Sequence, residues 1–418
     1  MNQWSIRAIY GALIAELVLV VVFAATYNAL DFKIYAWGGQ AVFHDARLYL
    51  AQAYGHWFTY PPFAAVSFAP FARLPLVLAR VLWDLASVGA FAISCVITLD
   101  LADRRMPRPT IVGVVAAGML LEPVYHTLFL GQVNLILLAL ILADCWRASR
   151  GRAAGIGVGI AAAIKLTPAI FAVFFLVTRR TAAALTALAT FAVCGLIAYL
   201  VAPAASRMYW QHLFYDTSRV GAPYISNQSP YATSIRIAGG AAQVGGWYVV
   251  IPVVIAIVGL ATAAILARNG DWLAGAAVTG VAGLEISPIS WTHHWVWIMP
   301  ALIVLLVRGG RRERVAAACG YALFVVAPMW FTPHSGGPRE YGFHWLGTLL
   351  ANCFTIAGLA FLGYMAGCAY LTVRGNAPGD RVGSDQRQIA DDALGVTAPA
   401  QYGHVRFRIA GPDRRGRA

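Results

Sequence analysis

The amino-acid sequence predicts an all-α protein that crosses a membrane several times. Hydrophobic residues make up 60% of its 418 residues, charged residues only 12%, and the mean hydropathy is +0.66. Soluble globular proteins carry about twice that charged fraction. Apolar runs that approach the ~20 residues needed to cross a bilayer as a helix recur along the chain. We therefore expect a polytopic membrane protein with about twelve helical segments.

The apolar runs, taken in order, set the boundaries of these segments. The first run is too long for a removable signal peptide, and it lacks a small-residue cleavage site. The predicted segments are residues 8–30, 74–101, 110–129, 131–147, 153–165, 168–178, 181–203, 246–267, 272–288, 291–307, 315–331 and 345–373. Together, residues 1–373 are predicted to form one transmembrane domain. Two longer connections, 31–73 and 204–245, are aromatic and polar, and we expect them to be outer loops that form the active-site cavity.

The positions of the basic residues predict which face of the membrane each connection occupies. Of the 31 lysines and arginines, 22 fall in connections and termini that this arrangement places on one side. Basic residues concentrate on the cytoplasmic side of membrane proteins, so both termini are predicted to be cytoplasmic. Residues 374–418 are polar and aperiodic, as in a disordered tail. The net charge of +13 is thus a signal of topology, and we expect no nucleic-acid partner.

Two of the predicted segments are interrupted. Residues 153–178 lie between basic intervals that both belong on the cytoplasmic side, and they are too few for two full crossings. We expect two short helices that meet at Lys165–Pro168, because proline disfavours helical backbone at the residue before it. A second break is expected at Glu122–Pro123. Broken helices are tolerated inside a membrane only where they pack in protein or line a wet cavity, so the sequence predicts a cavity.

The outer connections and helix ends collect unusual polar residues, which near a membrane are functional candidates by default. The sequence contains no glycine-rich phosphate loop and no Rossmann fingerprint. Its six cysteines lie in apolar runs without the spacing of a zinc site or a disulfide framework. We expect no cofactor and no metal. An enzyme on the outer face has no nucleotide available, so it must take an activated donor from the membrane.

Six motifs resemble those of one family of membrane enzymes. They are DFKIY, FTYPPFAAVSFAPFARLP, LGQVNLILLALILAD, GIAAAIKLTPAIF, SRVGAPYISNQS and SPISWTHHWVWIMP. In this order they resemble bacterial polyprenyl-phosphate-mannose-dependent α-(1→2)-mannosyltransferases, the PimE-like group of the glycosyltransferase C superfamily, typical of actinobacteria. The resemblance implies a polyprenyl-phosphate-mannose donor, an active site on the outer face of the plasma membrane, and a mannosylated glycolipid acceptor such as a phosphatidylinositol mannoside or a lipoglycan.

Transfer of a sugar from a lipid phosphate needs a base for the acceptor hydroxyl and positive charge beside the leaving phosphate. Asp31 is the predicted base, since the resemblance places the catalytic aspartate in the motif that DFKIY matches. Asp45 is the alternative, although a loop charge or a helix cap explains it as well. Transfer of another sugar, or to another acceptor, remains open. A transporter would show two related halves, which the sequence lacks, and a scaffold would not need this group of polar residues.

The remaining candidates divide into two groups. Predicted contacts of the leaving phosphate are Lys165, His293, His294 and Arg236. Predicted substrate contacts are Tyr60, Gln132, Asn134, Asn227, Gln228 and Trp291. Neighbouring helical residues point in different directions, so we expect only one of the two histidines to reach the cavity. Most of these candidates have a structural alternative. It is interfacial anchoring for the lysine, the histidines and Trp291, and hydrogen bonding within loops or at helix ends for Arg236 and the asparagines and glutamines.

Overall fold

The computed structural model describes residues 3–334 and 338–375. Contacts divide the chain into a first unit, Met1–Ala369, and a second, Tyr370–Ala418. The described part of the second unit is the end of one helix, and the predicted tail lies outside the described residues from position 376 onward.

Helices account for nearly all regular structure in the described residues. They are α1 (Gln3–Thr26), α2 (Leu30–Ala41), α3 (Arg47–Leu50), α4 (Pro62–Phe68), α5 (Leu76–Leu101), α6 (Arg108–Met119), α7 (Glu122–Leu130), α8 (Asn134–Ser149), α9 (Ile156–Ile164), α10 (Ile170–Val177), α11 (Thr181–Val201), α12 (Pro203–Met208), α13 (Pro230–Ala238), α14 (Val250–Arg268), α15 (Trp272–Ile286), α16 (Ile298–Arg308), α17 (Arg311–Val326), α18 (Trp345–Ala351) and α19 (Cys353–Gly375). Two short antiparallel strands, β1 (Gln52–Ala53) and β2 (His56–Trp57), form a hairpin in register Gln52 to Trp57.

Five of these helices are long and apolar enough to cross a membrane. They are α1, α5, α11, α14 with the short turn before it, and α19, and the bent pair of α6 and α7 adds a sixth span. The other predicted segments form shorter helices, namely α8, α9, α10, α15, α16 and α17. Every predicted segment is therefore helical, which confirms an all-α, multi-pass membrane protein. Several of the twelve, however, are too short to cross a bilayer as one straight helix.

The break at Lys165 is confirmed. The backbone of Lys165 is extended (φ −147°, ψ 126°) and ends α9, and a short 3₁₀ turn, Thr167–Ala169, then leads into α10. Both helices pack against α11. The residues before α9 and after α10 line one common cavity, so the chain reverses direction at this point. The reversal places Lys165 at the tip of two short helices.

The break at Glu122 is also confirmed. Helices α6 and α7 are bent by 71° relative to each other. Leu121, between them, has extended backbone (φ −65°, ψ 131°), and Pro123 lies in the first turn of α7, where its missing N–H costs no helical hydrogen bond. The bend turns α7 towards the residues that follow α15. It therefore positions the C-terminal end of α7 beside the candidate site.

The connection 31–73, expected to be a loop, is largely folded. Helix α2 follows α1 after three residues, and it packs against α4. The close packing requires glycine, because a Cβ atom at Gly39 would lie 2.8 Å from the backbone of Phe68. Asp31 therefore lies in the first turn of a second helix rather than in a loop after the first.

The second long connection, 204–245, contains α12, a π-helical turn at Tyr209–Leu213, and α13. Asp45 joins the two connections, since its carboxylate oxygens accept hydrogen bonds from the backbone N–H groups of Ala204 (3.1 Å) and Ala205 (2.8 Å) in the first turn of α12. A carboxylate at this position satisfies N–H groups that the helix cannot. The contacts support the interpretation of Asp45 as a helix cap.

Candidate active site

Two adjoining cavities lie among the polar residues singled out above. One, of about 660 Å³, is lined by Asp31, His126, Gln132 and His293 and is called here the aspartate cavity. The other, of about 540 Å³, is lined by Lys165, His294 and many apolar residues and is called the lysine cavity. Both are lined by Thr59, Tyr60, Arg219, Val220 and Trp291. The shared residues form a wall between a carboxylate on one side and an ammonium group on the other.

One carboxylate oxygen of Asp31 is held by a glutamine. The Gln132 Nε2 atom donates to Asp31 Oδ2 at 2.5 Å, while Gln132 Oε1 accepts from the hydroxyls of Tyr60 (3.0 Å) and Tyr35. The two tyrosines thereby fix the orientation of the amide, with its N–H group towards the carboxylate. The other oxygen, Oδ1, has no hydrogen-bond partner among the described residues. It is available to accept from a substrate hydroxyl.

The environment of Asp31 favours proton uptake. Burial raises the pKa of Asp31 above its usual value of 3.8, while the Gln132 hydrogen bond and the nearby His126, His56 and Lys165 oppose this shift. A carboxylate with a raised pKa is a stronger base once it is ionised. The combination of a fixed position and a raised pKa suits a general base, as it does at many enzyme sites.

The position of Gln132 depends on the end of α7. Gly131, the residue between them, has a left-handed backbone (φ +72°), and a Cβ atom there would lie 2.7 Å from Phe32 Cβ. The buried Arg80 donates to the carbonyls of Leu128 and Phe129, which are among the last of α7. Arg80 is paired in turn with Asp84 at 2.9 Å. These contacts anchor the end of α7, and through it the glutamine that holds Asp31.

Lys165 is held on the opposite side of the shared wall. Its Nζ atom donates to Asn134 Oδ1 at 3.0 Å and lies 2.6 Å from His294 Nε2. Asn134 Nδ2 donates to the His293 carbonyl at 2.8 Å, and the other ring nitrogen of His294 is hydrogen-bonded to the Ile289 carbonyl. At this distance the lysine and the histidine share one hydrogen bond, so at most one of the two groups carries a positive charge. Both groups line the lysine cavity.

The two histidines face different cavities. His294 lines the lysine cavity, and His293 lines the aspartate cavity. The expectation that only one would reach a cavity is therefore wrong, because it assumed a single cavity. Their rings are perpendicular, with centroids 4.7 Å apart. Both ring nitrogens of His293 are buried and have no hydrogen-bond partner among the described residues, so this side chain has unused hydrogen-bonding capacity beside the cavity.

His126 and Arg219 are cavity residues that the sequence analysis did not propose as site residues. His126 Nδ1 lies 2.8 Å from Glu122 Oε1, which also accepts from Trp330 Nε1 at 3.0 Å. The i, i+4 spacing of Glu122 and His126 was a visible signal of this pair. Arg219 lines both cavities, donates to the Tyr49 carbonyl at 3.0 Å, and lies 4.6 Å from the Trp57 ring. The signal for Arg219 was weaker, because it is one of three arginines in the aromatic connection 204–245.

Four predicted site residues lie outside both cavities: Asn134, which contacts Lys165, and Arg236, Asn227 and Gln228. The guanidinium of Arg236 is buried and donates to Asn352 Oδ1 (2.6 and 3.1 Å) and to the Asn227 carbonyl. Asn227 Nδ2 donates to the carbonyls of Ala222 and Pro288, and its Oδ1 accepts from the Ser290 N–H. Gln228 is equally engaged with backbone groups. These contacts fit the structural alternative, in which Arg236, Asn227 and Gln228 hold the segment 222–229 against residues 288–290.

Comparison with known proteins gives consistent results. Residues 58–288 match the profile of "Glycosyltransferase family 87". The chain is 33% identical over 74% of its length to a polyprenol-phosphate-mannose-dependent alpha-(1-2)-phosphatidylinositol mannoside mannosyltransferase of Mycobacterium tuberculosis, of which 77% is covered. It is 31% identical over 81% of its length to a polyprenol-phosphate-mannose-dependent alpha-(1-2)-phosphatidylinositol pentamannoside mannosyltransferase of Mycolicibacterium smegmatis, of which 85% is covered. No solved structure matches significantly. These matches confirm the family resemblance expected from the motifs.

Proposed function

Since the chain belongs to glycosyltransferase family 87, we propose that it transfers mannose from polyprenyl-phosphate-mannose to a phosphatidylinositol mannoside and forms an α-(1→2) linkage. The names of its relatives support both substrates. The observation that carries the mechanism is the placement of one carboxylate and one cation, Asp31 and Lys165, in adjoining cavities. Glycosyl transfer from a lipid phosphate requires these two charges.

The lysine cavity is the proposed donor site. Beyond Lys165, its lining includes apolar side chains from three helices, such as Ile170 of α10, Leu260 of α14 and Ile286 of α15. An isoprenoid chain fits against such residues, and the phosphate fits beside Lys165 and His294. Charge-assisted hydrogen bonds to phosphate oxygens are stronger than neutral ones. Asn134 serves as a positioning residue, because its Oδ1 atom holds the ammonium group in place.

The aspartate cavity is the proposed acceptor site. Asp31 accepts the proton of the acceptor hydroxyl, and the resulting oxygen nucleophile forms a bond to C1 of mannose. The bond from C1 to the phosphate oxygen breaks, and its electron pair leaves with the polyprenyl phosphate. Attack opposite the leaving group inverts the configuration, so a β-linked donor yields an α-linkage. Tyr60 and Trp291, which line both cavities, are the proposed contacts of the transferred sugar.

The function is tested by transfer in liposomes. Purified enzyme should move labelled mannose from polyprenyl-phosphate-mannose only when a phosphatidylinositol mannoside is present, because Asp31 needs an acceptor hydroxyl to deprotonate. The product should release its label to an α-(1→2)-specific mannosidase. Phosphatidylinositol without mannose, and polyprenyl-phosphate-glucose, serve as the matched acceptor and donor controls. Equal transfer from the glucose donor, or a linkage that resists the mannosidase, would contradict this assignment.

We place the two cavities on the outer face of the plasma membrane, with the N-terminus in the cytoplasm. In a variant whose accessible Cys319 and Cys368 are replaced by alanine, single cysteines report the two faces. Leu50→Cys, at a position 61% exposed, should react with a membrane-impermeant maleimide in intact cells. Met106→Cys, at a position 38% exposed, should react only after permeabilisation, because it lies among the basic residues between α5 and α6. The reverse pattern would reject the orientation.

A further inference from the structure

A third cavity lies away from the proposed active site. It measures about 300 Å³ and is lined by the residues before α9, the connection from α10 to α11, and the first turns of α11. Because the chain reverses at Lys165, this cavity is at the opposite end of α9 and α10 from the reacting groups. It is called here the arginine cavity, and the transfer reaction gives it no role.

The arginine cavity is strongly basic. Its lining includes Arg152, Arg179 and Arg180 and no aspartate or glutamate. Two of the three guanidinium groups lie over aromatic rings, Arg152 over Trp146 (5.5 Å) and Arg180 over Trp272 (5.4 Å). None of the three forms an ion pair with a described residue. Three uncompensated cations in one concave site attract an anion, and arginine binds phosphate oxygens with two parallel hydrogen bonds.

The two helices that flank the cavity expose apolar side chains. Leu185 and Leu188 of α11 are 67% and 56% exposed, and Ile156 at the start of α9 is 59% exposed. Helix α11 is long and apolar enough to cross a membrane, so we expect its exposed leucines to face lipid. A phospholipid has a charged headgroup above two acyl chains. A basic cavity at the end of a lipid-facing apolar surface is complementary to both parts.

We propose that the arginine cavity binds the phosphate headgroup of one anionic phospholipid, whose chains lie along α9 and α11. The three arginines supply the charge complementarity, and the exposed leucines favour a lipid over free phosphate. Thr181, which also lines the cavity, carries a hydroxyl group that can donate a hydrogen bond. Such a lipid stabilises the start of α9 and the end of α10, the two short helices that meet at Lys165.

The proposal is tested by native mass spectrometry of the purified full-length protein, titrated with phosphatidylglycerol and with phosphatidylcholine of the same chain length. The wild-type protein should retain one phosphatidylglycerol in preference to phosphatidylcholine. The variant Arg152→Gln/Arg179→Gln/Arg180→Gln should bind this lipid about tenfold more weakly or worse, since each basic residue near a membrane surface contributes to anionic lipid binding. Ala182→Phe, which fills the cavity and keeps all three arginines, should weaken binding similarly.

The matched control is Arg104→Gln/Arg105→Gln/Arg108→Gln, which removes the same charge from the connection between α5 and α6, outside the arginine cavity. It should leave the affinity for the first phosphatidylglycerol unchanged. An equal loss in this control, or equal retention of phosphatidylcholine, would show general electrostatic attraction and overturn the proposal. Displacement of the lipid by excess inorganic phosphate would assign the cavity to free phosphate instead. Thermal unfolding of each variant checks that it is folded.

Discussion

Replacing Asp31 by asparagine should reduce mannosyl transfer by about a hundredfold or more, the usual contribution of a positioned base. Asparagine keeps the size of the side chain and an oxygen that can accept from Gln132, but it cannot take a proton from the acceptor. Donor binding should survive, because Lys165 lies in the other cavity. Single-turnover kinetics together with a donor-binding measurement would separate the two effects. Transfer at the parental rate would leave Asp31 as a structural charge only.

The pH dependence supplies a second measurement on the same variant. A base acts only when it is ionised, so transfer is lost as pH falls through the pKa of Asp31. Because burial raises this pKa above 3.8, the acid limb of kcat/KM should lie at higher pH than an exposed carboxylate would give, and Asp31→Asn should lack it. Asp45→Ala is the control: it removes the cap of α12, so it should lower thermal stability by about 1 kcal/mol and leave the acid limb in place.

Replacing Lys165 by methionine should lower turnover by roughly a hundredfold, since removing one group that stabilises a developing anion typically costs a few kcal/mol. Methionine fills similar space, and it removes the ammonium group from the donor site. The Michaelis constant for the donor should rise as well, because the phosphate is charged before and after transfer. Kinetics with purified enzyme at varied donor concentration would measure both effects.

The chain contains only one other lysine, Lys33, and this makes a matched control possible. Lys33 lies two residues after Asp31 in α2, with its Nζ atom 4.1 Å from the Tyr54 ring, outside both cavities. Lys33→Met should therefore change turnover little. If Lys165→Met lost thermal stability but kept its turnover, Lys165 would be a structural residue at a helix break.

The helix breaks could be predicted from the sequence because their causes are local. Pro168 and Pro123 each constrain the backbone beside them, and the basic intervals around residues 153–178 required a reversal. The folding of 31–73 could not be predicted in this way. Glycine is a poor helix former, yet the Gly38-Gly39 pair lies inside α2. There the missing side chain is what permits the contact with α4.

The candidate site was only partly predictable for a similar reason. Asp31 and Gln132 lie 101 positions apart, and their hydrogen bond depends on how α2 docks against the end of α7. For Arg236 the sequence suggested a ligand where the structure has a protein partner. An isolated cation near a membrane suggests phosphate binding, but the guanidinium of Arg236 donates to Asn352, 116 positions away. Residue type indicates that a charge needs a partner, and only tertiary structure decides whether that partner is the protein or a ligand.

The shortness of α9 affects how a long isoprenoid substrate can react. Its nine residues cover about 14 Å, roughly half of the ~30 Å hydrocarbon layer. In the proposed orientation the arginines at its base lie at the cytoplasmic surface, so an upright α9 would put Lys165 near the middle of that layer. The sugar phosphate would then move inward to the enzyme while the isoprenoid stays in lipid. Lifting ten of its carbons into water would cost about 8 kcal/mol, and a reaction centre inside the membrane would avoid that cost.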